Sequence, residues 1–119
     1  MVGRRARRTL PEVTAESPHL PDELEPARAI RRALAAQGLK ARDVDLVAVW
    51  ATGPLGRERA ELAVSMGLGR FATNVTAVYD DPDPFARCAA AIAAGEATVA
   101  VALAIDAAGI GRAQAFGRP

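Results

Sequence analysis

The spacing of apolar residues divides the chain into alternating helices and strands. Helical spacing, with apolar residues three and four positions apart, occurs over residues 26–37, 58–66 and 85–94. Short runs rich in apolar and β-branched residues occur over residues 44–50, 73–79 and 98–105, and such runs are typical of covered strands. Residues 112–116 follow a turn that contains glycine, so they can return antiparallel to the third run.

The predicted order, α-β-α-β-α-β-β, indicates an α/β fold with a mainly parallel, mixed sheet. Strands separated by helices are joined by right-handed crossovers and lie parallel, whereas the last two strands form an antiparallel hairpin. Residues 1–18 show no sustained apolar period and contain Pro11 and Pro18. We therefore expect a disordered, arginine-rich tail over residues 1–18 and one domain over residues 19–119.

The third predicted helix is apolar on nearly all of its sides. Phe85, Cys88, Ala89 and Ile92 mark one stripe, and most of its other residues are alanine. Arg87 is the one charged residue over residues 85–94. Helices of this kind lie between layers of structure instead of on a surface, so we expect both sides of this helix to be covered.

Composition narrows the possible classes of protein. Of 119 residues, 28 are alanine and five are aromatic, which predicts a thin and closely packed core. A single cysteine, Cys88, and a single histidine, His19, exclude a disulfide framework, a cysteine-rich zinc site and most catalytic triads. We therefore expect no metal and no cofactor, and the lone cysteine fits a reducing, cytoplasmic compartment. The excess of alanine, with arginine as 14 of the 15 basic residues, indicates GC-rich coding.

Charge is distributed unevenly along the chain. The four arginines Arg4, Arg5, Arg7 and Arg8 carry a charge of +4, whereas all other residues together include 11 basic and 14 acidic ones, a net charge of −3. A mildly acidic body argues against nucleic-acid binding. No apolar run approaches the ~18–20 residues that span a bilayer, so we expect no membrane insertion. The four arginines could dock on an acidic carrier protein or on a nucleic acid, or they could only keep the tail soluble.

One continuous segment carries a motif. Residues 45–61 read DLVAVWATGPLGRERAE, in which the letters WATGP at residues 50–54 are followed by Glu58 and Glu61. This frame resembles the C-terminal half of β-ketoacyl synthases, which are members of the thiolase-like superfamily. In that family, His-Gly-Thr-Gly-Thr stands in place of WATGP, and an aspartate and a glutamate follow it at the same spacing. The resemblance covers about residues 20–119 and implies half of a thiolase-like fold.

The departures from the family pattern concern the catalytic positions. A gapless alignment puts Trp50 and Pro84 where the family has histidines, and it puts Tyr79 at the family's lysine. The nucleophilic cysteine of the family lies in the half that this chain lacks. Losing one pre-organised donor costs on the order of 10²–10³ in rate, so we expect no condensing activity and assign no catalytic residue. Chain length factors of type II polyketide synthases likewise keep the ketosynthase fold and lose catalysis.

The resemblance also predicts an interface. In the thiolase-like fold two halves sandwich a central helical layer, so half a fold would leave the helix at residues 85–94 facing water. Large apolar exposure usually marks an interaction surface. We therefore expect Phe85, Cys88, Ala89 and Ile92 to form an interface in a homodimer or in a heterodimer with a ketosynthase-like chain. The predicted function is that of a non-catalytic accessory protein in bacterial polyketide or fatty-acid biosynthesis, which contacts a ketosynthase or an acyl carrier protein.

An alternative hypothesis is a small enzyme that reuses the pocket of the half-fold on a polyketide-like intermediate, by cyclisation, dehydration or hydrolysis. Ligands of open α/β sheets collect at the carboxyl ends of strands. The predicted pocket there consists of Trp50, Thr52, Gly53, Tyr79 and Asp81. Trp50 could instead fill the core, and Tyr79 could be an ordinary strand residue with a satisfied hydroxyl.

Three further groups have both a chemical and a structural interpretation. Cys88 could be a nucleophile, but the middle of an apolar helix favours a buried, inert thiol. The acidic turn at residues 80–83 could hold a divalent cation, but Asp83 before Pro84 favours a solvated loop and a helix cap. Glu58 and Glu61 could act as a carboxylate pair, but nearby arginines and the start of a helix favour surface ion pairs or stabilisation of the helix N-terminus.

Overall fold

The computed structural model describes residues 24–118, and its elements follow the predicted order. The predictions for residues 1–18 and for His19 lie outside the described residues. The elements are α1 (Glu25–Ala36), β1 (Leu46–Ala51), α2 (Gly56–Leu68), β2 (Thr76–Val78), α3 (Pro84–Ala93), β3 (Val99–Ile105) and β4 (Gly111–Gly117), with short 3₁₀ helices at Ala41–Asp43 and Gly69–Asn74. None of the helices within this part of the chain has the length and hydropathy needed to cross a membrane.

The four strands form one mixed sheet in the order β2-β1-β3-β4. Strand β1 lies parallel to both β2 and β3, whereas β3 and β4 form an antiparallel hairpin with Val99 opposite Gly117. The predicted α/β class and the mainly parallel, mixed sheet are therefore confirmed. Helices α1 and α2 pack together on one face of the sheet, and α3 covers the other.

The two faces of the sheet differ in side-chain size. Because side chains alternate along a strand, Val101 and Leu103 point towards α1 and α2, whereas Ala100 and Ala102 point towards α3. On the α3 face these alanines meet Cys88 and other small residues. Small residues on both sides allow α3 to approach the sheet closely, and this second, thin core buries Ala48, Ala91, Ala97, Ala100 and Ala102.

The helix ends follow the sequence signals. Asp83 caps α3, since its Oδ1 accepts a hydrogen bond from the backbone N–H of Ala86 at 3.2 Å. Gly38 follows α1 with a φ of 68°, a left-handed conformation that favours glycine. Both predictions are confirmed.

Two strand boundaries differ from the sequence prediction by more than one residue. The second strand was expected over residues 73–79, but the 3₁₀ helix Gly69–Asn74 takes up the start of that segment and leaves three residues in β2. The first strand was expected from residue 44, but it starts at Leu46, because the 3₁₀ helix Ala41–Asp43 is closed by a hydrogen bond from the N–H of Val44.

Candidate functional site

A cleft opens at the carboxyl ends of β1 and β3, beside the turn that leads into β4. Its volume is about 390 Å³. We call it the carboxyl-edge cleft, and its principal lining residues are Trp50, Thr52, Ala104, Asp106, Ile110 and Arg112. This is the position at which open α/β sheets bind ligands, because loops diverge there and leave a crevice.

Three side chains form a row across the sheet at this cleft. Trp50 on β1 is paired with Ala104 on β3, which is paired with Arg112 on β4. Alternation along β1 puts Trp50 on the α3 face, together with Ala48. Trp50 is 42% exposed, so the interpretation of this residue as core filling is wrong. The methyl side chain of Ala104 leaves a gap between the two large side chains.

Arg112 is held in position by an aromatic ring. Its guanidinium carbon lies 4.6 Å from the ring centre of Phe85, in the first turn of α3. Within residues 24–118 no carboxylate forms an ion pair with Arg112. Asp106 lines the same cleft, but its Oδ1 accepts hydrogen bonds from the N–H groups of Ala108 and Ile110 at 3.0 and 2.9 Å. This carboxylate therefore supports the turn.

The predicted pocket residues Thr52 and Gly53 lie directly after β1. The N–H of Thr52 donates to the carbonyl oxygen of Ile105 at 2.9 Å, which ties the loop to β3. Gly53 has a φ of 98°, and its carbonyl oxygen accepts from the N–H of Gly56 at 3.0 Å. Thr52 therefore borders the cleft, whereas Gly53 shapes the turn into α2.

Tyr79 is half-buried and packs against the core on the α1 and α2 side. The Arg57 guanidinium lies over its ring at 4.5 Å and also pairs with Glu61, 2.7 Å from Nε to Oε2. Burial and the negative charge of Glu61 raise the pKa of Tyr79, against the opposing effect of Arg57. The phenol therefore keeps its proton at neutral pH, and the predicted surface ion pair of Glu61 is confirmed.

Asp81 lines a different hollow, a groove of about 630 Å³ along α3. Partial burial raises the pKa of Asp81, but the Asp83 amide and the Arg87 guanidinium outweigh it, so its pKa lies below the usual value. The N–H of Asp83 donates to Oδ1 at 2.9 Å, and Arg87 pairs with Oδ2. This ionised carboxylate organises the approach to α3, next to the predicted helix cap, Asp83.

The four residues expected at an interface point in different directions. Cys88 is 0% exposed and faces the sheet, so a partner chain would not touch it. Phe85 and Ile92 are half-buried against the same sheet face, and Ala89 is exposed. The outer face of α3, as the structure has it, consists of Ala86, Ala89, Ala90 and Ala93, all exposed.

Burial raises the pKa of the Cys88 thiol to about 11. A backbone hydrogen bond with Ala48 and the charge of Arg87 oppose this shift, and the charge of Asp81 adds to it. A thiol with this pKa and no solvent access is a poor nucleophile at neutral pH. The interpretation of Cys88 as a buried, inert thiol is confirmed.

Sequence reasoning missed the arginine of the cleft. The pattern indicates Arg112 only as the start of a strand, because its contact with Phe85 joins residues 27 positions apart. No local pattern marks such a pair. The chain matches no protein-family model, and no curated protein is significantly similar to it.

Proposed function

We propose that this chain is a non-catalytic, ketosynthase-like partner protein of bacterial polyketide or fatty-acid biosynthesis. It acts by contact with a ketosynthase or an acyl carrier protein. The proposal starts from the motif frame at residues 45–61, whose segment spans β1, the following turn and the start of α2. The α/β order and mixed sheet are compatible with half of a thiolase-like fold.

The chemistry of the available groups supports a role without catalysis. An indole and a proline ring stand at the two positions where the family has histidines, Trp50 and Pro84. The Cys88 thiol is buried and stays protonated, with a pKa of about 11. Neither an indole nor a pyrrolidine can accept and return a proton as an imidazole does.

The observation that carries the proposal is the outer face of α3. Exposed alanines follow one another along this side of the helix, and the helix has one charged residue, Arg87, which turns to Asp81. A surface helix normally has charged residues on its outer face. Alanine allows the backbone of a partner helix to approach closely, which suits a central helical layer shared by two halves. The partner is a second copy of the chain or a ketosynthase-like chain.

Native mass spectrometry tests this proposal. The purified chain is measured alone and after mixing with the ketosynthases and acyl carrier proteins encoded near its gene. We expect a dimer or a stable complex, and we expect Ala89→Arg to abolish it, because a long cation would stand in the contact. Ala35→Arg is the matched control, since Ala35 is an exposed alanine on α1. A chain that stays monomeric with every candidate, or a complex that tolerates Ala89→Arg, would overturn the proposal.

The alternative, a small enzyme with Trp50, Tyr79 and Asp81 around one pocket, gains no support from the geometry. Trp50 borders the carboxyl-edge cleft, Tyr79 packs under Arg57, and Asp81 is paired in the groove along α3. An acid or base for such chemistry must lie within hydrogen-bond reach of the same substrate atom or of its neighbour. We therefore propose only the first function.

A further inference from the structure

We infer that the carboxyl-edge cleft binds a small organic anion, a carboxylate attached to a planar apolar group, between Trp50 and Arg112. This inference does not depend on the proposed partner function. The cleft is built by the strand ends and the β3–β4 turn, whereas the proposed contact with a partner uses the outer face of α3.

The apolar half of the site is the gap above Ala104. Adjacent strands lie about 4.8 Å apart, so the backbones of Trp50 and Arg112 are roughly 10 Å apart with one methyl group between them. Ile110, which is 52% exposed, lies in the turn at the rim of the cleft. A planar group can lie over Ala104 and stack on the indole, and the cleft volume of about 390 Å³ suits a ligand of this size.

The charged half of the site is the guanidinium of Arg112. It rests on the Phe85 ring and has no ion-pair partner among the described residues. A guanidinium presents paired N–H donors that match a carboxylate, and one fixed by stacking loses less conformational entropy when it binds. The ligand group that binds on this side of the cleft is therefore an anion.

The carboxylate of Asp106 sets the orientation of the ligand. Its charge lies on the turn side of the cleft, where two backbone amides hold it. A second carboxylate is repelled from that side, so the anionic end of the ligand lies at Arg112 and its apolar part extends towards Trp50. A purely apolar ligand would leave the guanidinium without a partner, and a cation would be repelled by it.

The test uses 2-naphthoate as the probe and 2-naphthalenemethanol as its uncharged counterpart. Trp50 is the single tryptophan of the chain, so its indole N–H resonance reports directly on the cleft. We expect naphthoate to bind saturably by calorimetry and to shift this resonance. The alcohol should bind at least about tenfold more weakly, the size expected for one charge-assisted hydrogen-bonded pair. Arg112→Gln should weaken naphthoate binding by a similar factor.

Arg70→Gln is the matched control, because Arg70 also stacks on a phenyl ring, that of Phe71, at 5.0 Å. It should bind naphthoate like the wild type. Equal affinity for the acid and the alcohol, an unshifted indole resonance, or the absence of saturable binding up to millimolar probe would overturn the inference. If Arg112→Gln fails to fold, the comparison of the two probes on the wild-type chain still tests whether the cleft binds an anion. Ala89→Arg should leave naphthoate binding unchanged, so this inference and the partner proposal fail separately.

Discussion

The buried thiol of Cys88 predicts that stability falls at alkaline pH. Burial raises the pKa of this thiol from 9.0 to about 11. Below pH 9 the thiol is protonated in the folded and the unfolded chain, so its full contribution to stability is present. As the pH rises from 9 towards 11, the thiol ionises in the unfolded chain while the folded chain keeps its proton. The unfolded state is thereby favoured, and the free energy of unfolding decreases.

The size of the effect follows from the shift in pKa. Each pH unit in this window costs about 1.4 kcal/mol, so the loss at about pH 10.5 is roughly 2 kcal/mol. The assay is urea denaturation, followed by circular dichroism, of the wild type and Cys88→Ala at about pH 8 and about pH 10.5. Removing the buried sulfur should cost about 1 kcal/mol at about pH 8 through lost packing. At about pH 10.5 the variant should instead be the more stable protein, by about 1 kcal/mol, because it has no thiol to ionise. Every other titratable group is present in both proteins, so its contribution cancels in the comparison.

The decisive quantity is the difference between the two pH dependences. Wild-type stability should fall by roughly 2 kcal/mol more than that of Cys88→Ala between the two pH values. If both proteins lose the same free energy on going to alkaline pH, the thiol is not desolvated in the folded state, and the packing of α3 on the sheet would need revision.

Three other substitutions test the local geometry. Gly56→Ala should destabilise the fold by about 1–3 kcal/mol in urea, because a Cβ there would lie 2.6 Å from a carbonyl oxygen at the end of β1; unchanged stability would contradict this close approach. Asp83→Ala should cost about 1 kcal/mol through loss of the α3 cap, whereas Asp80→Ala, a neighbouring control, should cost much less. Glu61→Gln should lower the pKa of Tyr79, which absorbance titration measures cleanly because the chain has one tyrosine; an unchanged or higher pKa would refute the assigned role of Glu61.

Local signals in the sequence were sufficient to predict the order of elements. The Asp83-Pro84 pair marks the start of α3, and Gly38 follows the end of α1, because caps and left-handed turns depend on single residues. The predicted length of β2 was too great. The β-branched residues of this segment favour a strand, but they give no sign that the preceding residues form a 3₁₀ helix. The shortened β2 therefore pairs with Leu46, Val47 and Ala48 of β1.

The residues around the cleft were beyond local reasoning for a different reason. Trp50 and Thr52 were correctly assigned to the end of a strand. The residues that line the cleft with them belong to β3, to the turn after it and to β4, which are distant in sequence. Tyr79 and Asp81 follow the next strand in sequence, yet their side chains turn to α2 and α3, respectively. Chain order alone does not give the face of the sheet on which each side chain lies.

The alanines of α3 illustrate how one composition can serve two roles. Ala91 is buried and faces the sheet, where its small size sets the distance between helix and strands. Ala89 and Ala93 are exposed, and there a longer polar side chain would cost nothing in packing within this chain. A GC-rich coding bias would place alanine equally on the buried and the exposed side of α3. It therefore gives no information about the role of the alanines on either side. Substitution separates the two: Ala91→Leu should destabilise the isolated chain by about 1–3 kcal/mol through overpacking. Ala89→Arg should leave the isolated chain stable and affect only its association.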